Sequence, residues 1–158
     1  MTRSGIGYDA HRLAPGRKLI LGGVEIPYER GLDGHSDADV LCHAIADALL
    51  GAVGESDIGH HFPNTDESIR GISSLEILQR TNALLARMRA RVGNVDATLI
   101  AEAPKIAPHI PAMRAKIAAA LNLEISRVSI KATTNEGMGA IGRGEGMAAM
   151  AVATVEME

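Results

Sequence analysis

Residues 39–54 read DVLCHAIADALLGAVG, and their apolar side chains recur at the spacing of a helix. An aspartate at the start and a glycine at the end are typical helix boundaries, so the stretch predicts a helix. Asp39, His43 and Asp47 are spaced by four and share one face of that helix. We expect this face to lie opposite the apolar stripe, with His43 pointing away from the core.

Strand patterns and two further helices surround this helix. Residues 2–28 read as strands with a hairpin around Gly22 and Gly23, and one helix begins after Ser73, with Glu76 at capping-box spacing. The remaining elements are strands in NVDATLIAEAP, VSIKATT and GMAAMAVATVEME and a helix in AMRAKIAAALNL. Together they predict an α+β (α/β-like) fold: one mixed four-stranded main sheet, three helices on one face and a small hairpin. We expect residues 1–158 to form a single domain.

Composition limits the class of protein. Of 158 residues, 46% are hydrophobic and 22% charged, which is typical of a globular chain, and no apolar run is long enough to cross a bilayer. A net charge of −3 and an aromatic content of 2% disfavour a nucleic-acid surface. The single cysteine and the absence of a secretion pattern at the start predict a cytoplasmic protein.

A candidate metal site begins in GYDAHRL, where Asp9 and His11 are two residues apart. Residues two apart on a strand point the same way, and His43 would complete an Asp/His/His set if the strand ends near the first helix. Three protein ligands leave a tetrahedral zinc one open position, as in catalytic sites. A D-x-H pair is common by chance, so the residues alone leave the metal open. His60 and His61 form a rival pair, but adjacent residues on an extended chain chelate one ion poorly.

A second polar cluster lies in KATTNEGMGAIGRGEG, bordered by glycines. Its hydroxyls, carboxylate and guanidinium suit polyphosphate and magnesium, although a polar surface hairpin explains the stretch equally well. Gly137, Gly139 and Gly142 spell G-x-G-x-x-G, but a strand rather than a helix follows, so we reject a dinucleotide fold. Cys42 lies among apolar neighbours and is predicted to be a core residue, so the chain offers no obvious nucleophile.

Five blocks carry a resemblance to a known family: GYDAHRL, LGGVEIPYERGLDGHSDADVLCHAIADALLGA, DIGHHFPNTD, GNVDATLIAEAPKIAPHI and KATTNEGMGAIGRGEG. In this order they resemble the 2-C-methyl-D-erythritol 2,4-cyclodiphosphate synthases of the non-mevalonate isoprenoid pathway. The resemblance implies a phosphorus-oxygen lyase. In that reaction the 2-phosphate of 4-diphosphocytidyl-2-C-methyl-D-erythritol 2-phosphate attacks the β-phosphorus, closes a cyclic diphosphate and expels CMP.

The resemblance also implies roles for particular residues. Asp9, His11 and His43 would hold one Zn²⁺ per subunit, and Glu136 would hold Mg²⁺ or Mn²⁺ with the substrate diphosphate. The implied catalytic residues are His35 and Thr134. The implied substrate contacts are Ser36, Asp57, Ile58, Gly59, Phe62, Asn64, Asp66, Ala101, Ala103, Pro104, Lys105, Ile106, Ala107, Thr133, Asn135, Ala140 and Arg143. Family members are homotrimers with sites between neighbouring subunits, so we expect a homotrimer here.

Two positions depart from the family pattern. Asn64 stands where the family has an aspartate, which replaces a charged contact by a neutral one. Ala140 stands where many members carry phenylalanine, near Tyr8 and Arg143 at the trimer axis. Some members hold an isoprenoid diphosphate in an apolar cavity there, and losing the ring should enlarge or weaken that cavity.

Two other functions compete with the cyclase. A non-catalytic metal- or nucleotide-binding module would bind CMP or zinc without turnover. An unrelated His/Asp phosphohydrolase would release inorganic phosphate rather than CMP. The identity of the product therefore separates all three functions.

Overall fold

Seven strands form two sheets in the computed structural model, which describes residues 1–158. The five-stranded sheet has the order β4-β1-β7-β5-β6, and β2 pairs with β3 as the predicted hairpin. Only the β5–β6 pair is parallel, so the main sheet is mixed, as predicted. The predicted count of four is wrong, because β4 adds three residues beside the end of β1. The strands are β1 (Thr2–Pro15), β2 (Leu19–Leu21), β3 (Val24–Ile26), β4 (Arg30–Leu32), β5 (Ala90–Ile100), β6 (Val128–Thr133) and β7 (Gly146–Met157).

Three long helices pack on one face of the main sheet, which confirms the predicted arrangement. Helix α1 lies on β1 and β7, α3 packs against α1 and β5, and α4 covers β6. The other two helices are single turns of four residues each. None of the five helices is long and apolar enough to cross a membrane. Their bounds are α1 (Val40–Val53), α2 (Ile58–His61), α3 (Ser74–Arg87), α4 (Ile110–Leu121) and α5 (Gly139–Gly142).

Helix α1 lies directly against β1 because two glycines leave room for it. A Cβ placed on Gly5 would lie 1.9 Å from the carbonyl oxygen of Ala48, and one on Gly7 would lie 1.8 Å from that of Ala44. A carbon atom cannot lie so close to a backbone oxygen, so both positions of the strand require glycine, which has no side chain. Residues 9 and 11 lie on the same face of β1 as the two glycines. This face therefore contacts α1 at the glycines and carries the polar side chains of Asp9 and His11 further along.

The expectation that the Asp39–His43–Asp47 face points away from the core is wrong. Asp39 is completely buried and His43 is 5% exposed. Asp39 caps α1 by accepting a hydrogen bond from the Cys42 amide, and it also accepts from the amides of Gly22 and Gly23 at the hairpin turn. Burial raises the pKa of Asp39 and these three donors oppose the rise. Polar residues on this face are thus satisfied inside the protein rather than by water.

The other face of the main sheet carries no helix and exposes apolar side chains. Ile6 pairs with Val152 and Tyr8 with Met150 across β1 and β7. All four are exposed, Ile6 most of all at 68%. A contiguous apolar patch of this kind on a sheet marks an interaction surface.

Candidate active site

Three metal-ligand atoms meet where β1 approaches α1. The Asp9 Oδ2 atom lies 2.8 Å from His11 Nε2 and 3.1 Å from His43 Nδ1. The two imidazole nitrogens are 3.2 Å apart. Strand alternation aligns Asp9 with His11, and the glycine contact beneath α1 brings His43 to them, so the predicted Asp/His/His set does assemble.

The electrostatics of the triad favour a cation among its members. Burial raises the pKa of Asp9, but hydrogen bonds with His11 and His43 outweigh burial and lower that pKa to about 2. Burial lowers the pKa of His11, yet its hydrogen bond with Asp9 and the charge of that carboxylate raise it above the ordinary value. The site therefore keeps an ionised carboxylate beside two nitrogens across the neutral pH range.

The donor set fits a zinc ion. Ligands bound tetrahedrally at 2.0–2.1 Å lie about 3.3 Å from one another, close to the observed separations of 2.8 to 3.2 Å. The Nδ1 atom of His11 lies 2.9 Å from the carbonyl oxygen of Asp33, which can only accept a hydrogen bond. The Asp33 carbonyl therefore keeps a proton on Nδ1 of His11, so a metal that displaces the proton shared by Nε2 and Asp9 would meet the Nε2 lone pair.

A cavity of about 330 Å³ opens onto the triad. This volume suits a small-molecule site. Its apolar lining includes Ile69, Ile72 and Ile77. The cavity brings together the triad and several residues predicted as catalytic or substrate-binding, namely His35, Ser36, Ile58, Gly59, Phe62 and Asn64.

Two predicted substrate contacts hold neighbouring segments of this cavity in place. Asp57 caps α2 by accepting a hydrogen bond from the His60 amide at 2.9 Å. The carbonyl oxygen of Asp66 lies 3.0 Å from His35 Nε2, so the backbone orients that imidazole. In the rival pair of His60 and His61, the Nε2 atom of His61 bonds the Glu55 carbonyl oxygen at 2.7 Å, and the pair belongs to no group of three close metal-ligand residues.

Asp47 has a positioning role that the sequence did not reveal. Its Oδ1 atom accepts a hydrogen bond from the Ile58 amide at 2.9 Å, which fixes the start of α2. Burial raises the pKa of Asp47, and this hydrogen bond opposes the rise. The only sequence signal was its place four residues after His43 on the same helix face.

The remaining predicted residues gather at the ends of β5 and β6. Ile100 pairs with Thr133, and the Ala101 amide donates to the Thr133 carbonyl at 3.0 Å, so the segments that follow both strands start side by side. Ile106 is buried, whereas Ala103, Lys105 and Ala107 are exposed beside Pro104. Carboxyl ends of neighbouring parallel strands are a common place for ligands.

The turn that carries Glu136 is held by a second residue missed in the sequence. Glu102 Oε1 accepts a hydrogen bond from the Asn135 amide at 2.7 Å. The Thr134 hydroxyl accepts from the Glu136 amide at 3.2 Å, and the Glu136 side chain is exposed. This carboxylate is therefore free to meet a ligand from outside the chain.

The triad and the Glu136 turn do not face one cavity within a single chain. In the sheet order β1-β7-β5-β6, Asp9 is level with Leu99 and Ala132. Three strand spacings separate β1 from β6, which is about 14 Å. None of the residues 101–107 or 133–136 lines the 330 Å³ cavity.

Ala140 and Arg143 lie apart from both groups. Ala140 lines a smaller hollow of about 180 Å³ with Ala10 and Ile141. The Arg143 guanidinium pairs with Glu145 at 2.6 Å. The family resemblance places both residues near a trimer axis, and within one chain Ala140 lies beside the strand that carries His11, outside the cavity of the triad.

Three mutually close metal-ligand atoms beside a small-molecule-sized cavity, on a strand of a mixed sheet and the helix packed against it, are consistent with a metal-dependent class of enzyme. Within this class, the chain belongs to the YgbB family, whose sequence model matches residues 2–156. It is 57% identical to the 2-C-methyl-D-erythritol 2,4-cyclodiphosphate synthase of Geotalea uraniireducens over 154 residues, 98% of each chain. It is 61% identical to the synthase of the same name from Symbiobacterium thermophilum over 151 residues, 96% of each chain.

Solved structures agree with this membership. The bifunctional IspDF from Campylobacter jejuni superimposes with a TM-score of 0.96 at 37% identity, over 100% of this chain and 43% of that longer one. IspF from Plasmodium falciparum, solved as a CDP complex, gives a TM-score of 0.86 at 32% identity, over 99% and 97% of the two chains. Family and relatives together confirm the predicted cyclodiphosphate synthase function in isoprenoid biosynthesis.

Proposed function

We propose that this chain converts 4-diphosphocytidyl-2-C-methyl-D-erythritol 2-phosphate into 2-C-methyl-D-erythritol 2,4-cyclodiphosphate and CMP. An oxygen of the 2-phosphate attacks the β-phosphorus and forms the new P–O–P bond. The bond from that phosphorus to its bridging oxygen breaks, and CMP leaves with the electron pair. The substrate supplies the nucleophile, which agrees with the complete burial of Cys42. Phosphoryl transfer asks a protein mainly for positioning and charge neutralisation.

The observation that carries this proposal is the preformed triad above the cavity. Asp9, His11 and His43 would hold Zn²⁺, which when bound supplies a Lewis acid for a phosphate oxygen. The exposed carboxylate of Glu136 would hold Mg²⁺ or Mn²⁺ together with the substrate diphosphate.

The chain's own groups bind and orient the substrate. His35, fixed by the Asp66 carbonyl, and Thr134 stabilise charge on the phosphates. Asp57 and Gly59, at the start of α2, meet the erythritol hydroxyls, while the backbone of 101–107 reads the cytosine. Asn64 offers a neutral hydrogen bond where the family has a carboxylate.

The reaction requires the triad and Glu136 to act on adjoining phosphates, although about 14 Å separates their strands within one chain. A neighbouring copy that brings its Glu136 turn to the cavity removes this conflict. The exposed apolar side chains of Ile6, Tyr8, Met150 and Val152 offer a surface for that copy. A closed ring of copies gives every triad one neighbour, and the family resemblance implies three copies, so we propose a homotrimer with shared sites. Ala140, lacking a ring, leaves any axial cavity too open to hold an isoprenoid diphosphate firmly.

We also propose that residues 1–158 act as a single domain in the cytoplasm. One hydrophobic cluster includes residues from Leu13 near the start to Val155 near the end. The buried thiol of Cys42 agrees with a reducing compartment.

Phosphorus NMR of the zinc-loaded protein with substrate and Mg²⁺ tests the reaction. We expect CMP and a cyclic diphosphate to appear together in equal amounts. Release of inorganic phosphate would identify a phosphohydrolase instead. Binding without conversion in zinc-replete protein would identify a non-catalytic module.

Mixing two inactive variants tests whether sites are shared between copies. His43→Ala and Glu136→Ala are each expected to be inactive, but co-refolded at equal amounts they should recover about a quarter of wild-type activity, because one interface in four combines two intact halves. The measurement is CMP release against each variant refolded alone. Mixed protein that stays inactive would show that each site is built within one chain.

A further inference from the structure

The two ring nitrogens of His43 face different groups of the protein. Its Nδ1 atom faces Asp9 and His11, while its Nε2 atom points away from the triad. On that far side Nε2 lies 2.9 Å from the Ser74 hydroxyl oxygen, in the first turn of α3. Ser74 is completely buried. A protein group with no water in reach therefore contacts the ligand imidazole from behind.

The direction of the hydrogen bonds follows from Asp37. Its carboxylate accepts from the Ser74 amide at 3.0 Å and also from the Ser74 hydroxyl. An ionised carboxylate only accepts, so the single hydroxyl proton of Ser74 is committed to Asp37. Toward His43 the same oxygen can then only accept, which places the imidazole proton on Nε2.

Ser36 is the other group near Nε2, at 3.1 Å. Its hydroxyl oxygen already accepts from the Ala38 amide, and the residue belongs to the loop that lines the cavity. Ser74 is closer, sits on a long helix and has its proton direction fixed. The rigid support of the imidazole is therefore Ser74.

We propose that Asp37 and Ser74 are positioning residues that lock His43 in its Nε2-protonated form, so that the Nδ1 lone pair is directed at the metal. This inference rests on the proposed metal site and extends it to residues for which the family resemblance gave no role. The carboxylate at the end of the chain of hydrogen bonds also raises the basicity of the ligand nitrogen. His11 receives the equivalent support from a backbone carbonyl, whereas His43 depends on two side chains.

Replacing Ser74 tests the proposal through zinc affinity, measured by competition with a chromophoric chelator at pH 7. We expect Ser74→Ala to weaken zinc binding about 10–100-fold and Ser74→Thr, which keeps the hydroxyl, to bind within about threefold of wild type. Ser73→Ala is the matched control, because its hydroxyl caps the same helix through the Leu75 amide and does not contact His43. It should lose stability but not zinc affinity.

Two outcomes distinguish the positioning role of Asp37 and Ser74 from the metal site itself. Wild-type protein that takes up no zinc overturns both the metal site and the positioning role. Wild type and Ser74→Ala that bind zinc equally overturn the positioning role alone. Nitrogen-15 NMR of labelled histidines in the zinc-loaded wild type needs no variant, so it applies even if Ser74→Ala does not fold. We expect a protonated Nε2 and a metal-bound Nδ1 for His43, and the reverse assignment overturns the proposal.

Discussion

Gly7→Ala is expected to destabilise the protein by about 4 kcal/mol or more. The added methyl carbon would lie 1.8 Å from the backbone carbonyl oxygen of Ala44, a distance that no rotamer change can relieve. Helix α1 would have to move off β1, and the side chains packed around it would lose contact. Urea unfolding followed by circular dichroism measures the loss.

Gly51→Ala is the matched control for this substitution. Gly51 also belongs to the contact region of α1 and β1, but its nearest neighbour is 3.9 Å away and its backbone is helical. Alanine there should raise stability by about 0.5–1 kcal/mol, because it restricts the unfolded chain and favours the helix. Equal stabilities for Gly7→Ala and wild type would mean that the helix does not rest on the bare strand.

His43→Ala is expected to lower turnover at least about 10³-fold and to reduce bound zinc. The substitution removes one of three ligand atoms, and Asp9 with His11 alone make an incomplete site. CMP release and metal content of the purified protein should fall together. Added zinc should not restore the rate at concentrations that saturate the wild type.

His60→Ala serves as the control for His43→Ala. It removes an exposed imidazole from α2 without touching the triad, so both turnover and zinc content should stay close to wild type. A fully active His43→Ala enzyme would remove the zinc assignment. Loss of activity with normal zinc content would instead give His43 a role other than metal binding.

Long periodic segments and local spacing made much of the fold and the triad predictable. Helix α1 was visible in its apolar repeat, and the alternation of a strand placed Asp9 and His11 on one side. Strand β4 was not predictable, because three residues are too few to show alternation. Helix α2 is a single turn capped by Asp57, shorter than the period that would reveal it.

The supporting groups of the site escaped prediction for a different reason. In the sequence Ser74 lies 31 residues from His43 and 37 residues from Asp37, and no local pattern encodes its contacts with them. The capping box indicated by the sequence at the start of α3 forms only in part. Ser73 does cap the helix, as its spacing indicates. Glu76 there pairs with Arg80 instead of completing the expected capping box.

The glycine stretch of β1 has a consequence for the geometry of the Asp9, His11 and His43 triad. Gly5 and Gly7 set the distance between α1 and the strand. His43 lies on that helix, whereas Asp9 and His11 lie on the strand. The distance between the helix and the strand thus sets the distances between the three ligand atoms. Any change that moves the helix relative to the strand would therefore alter these separations without exchanging a ligand.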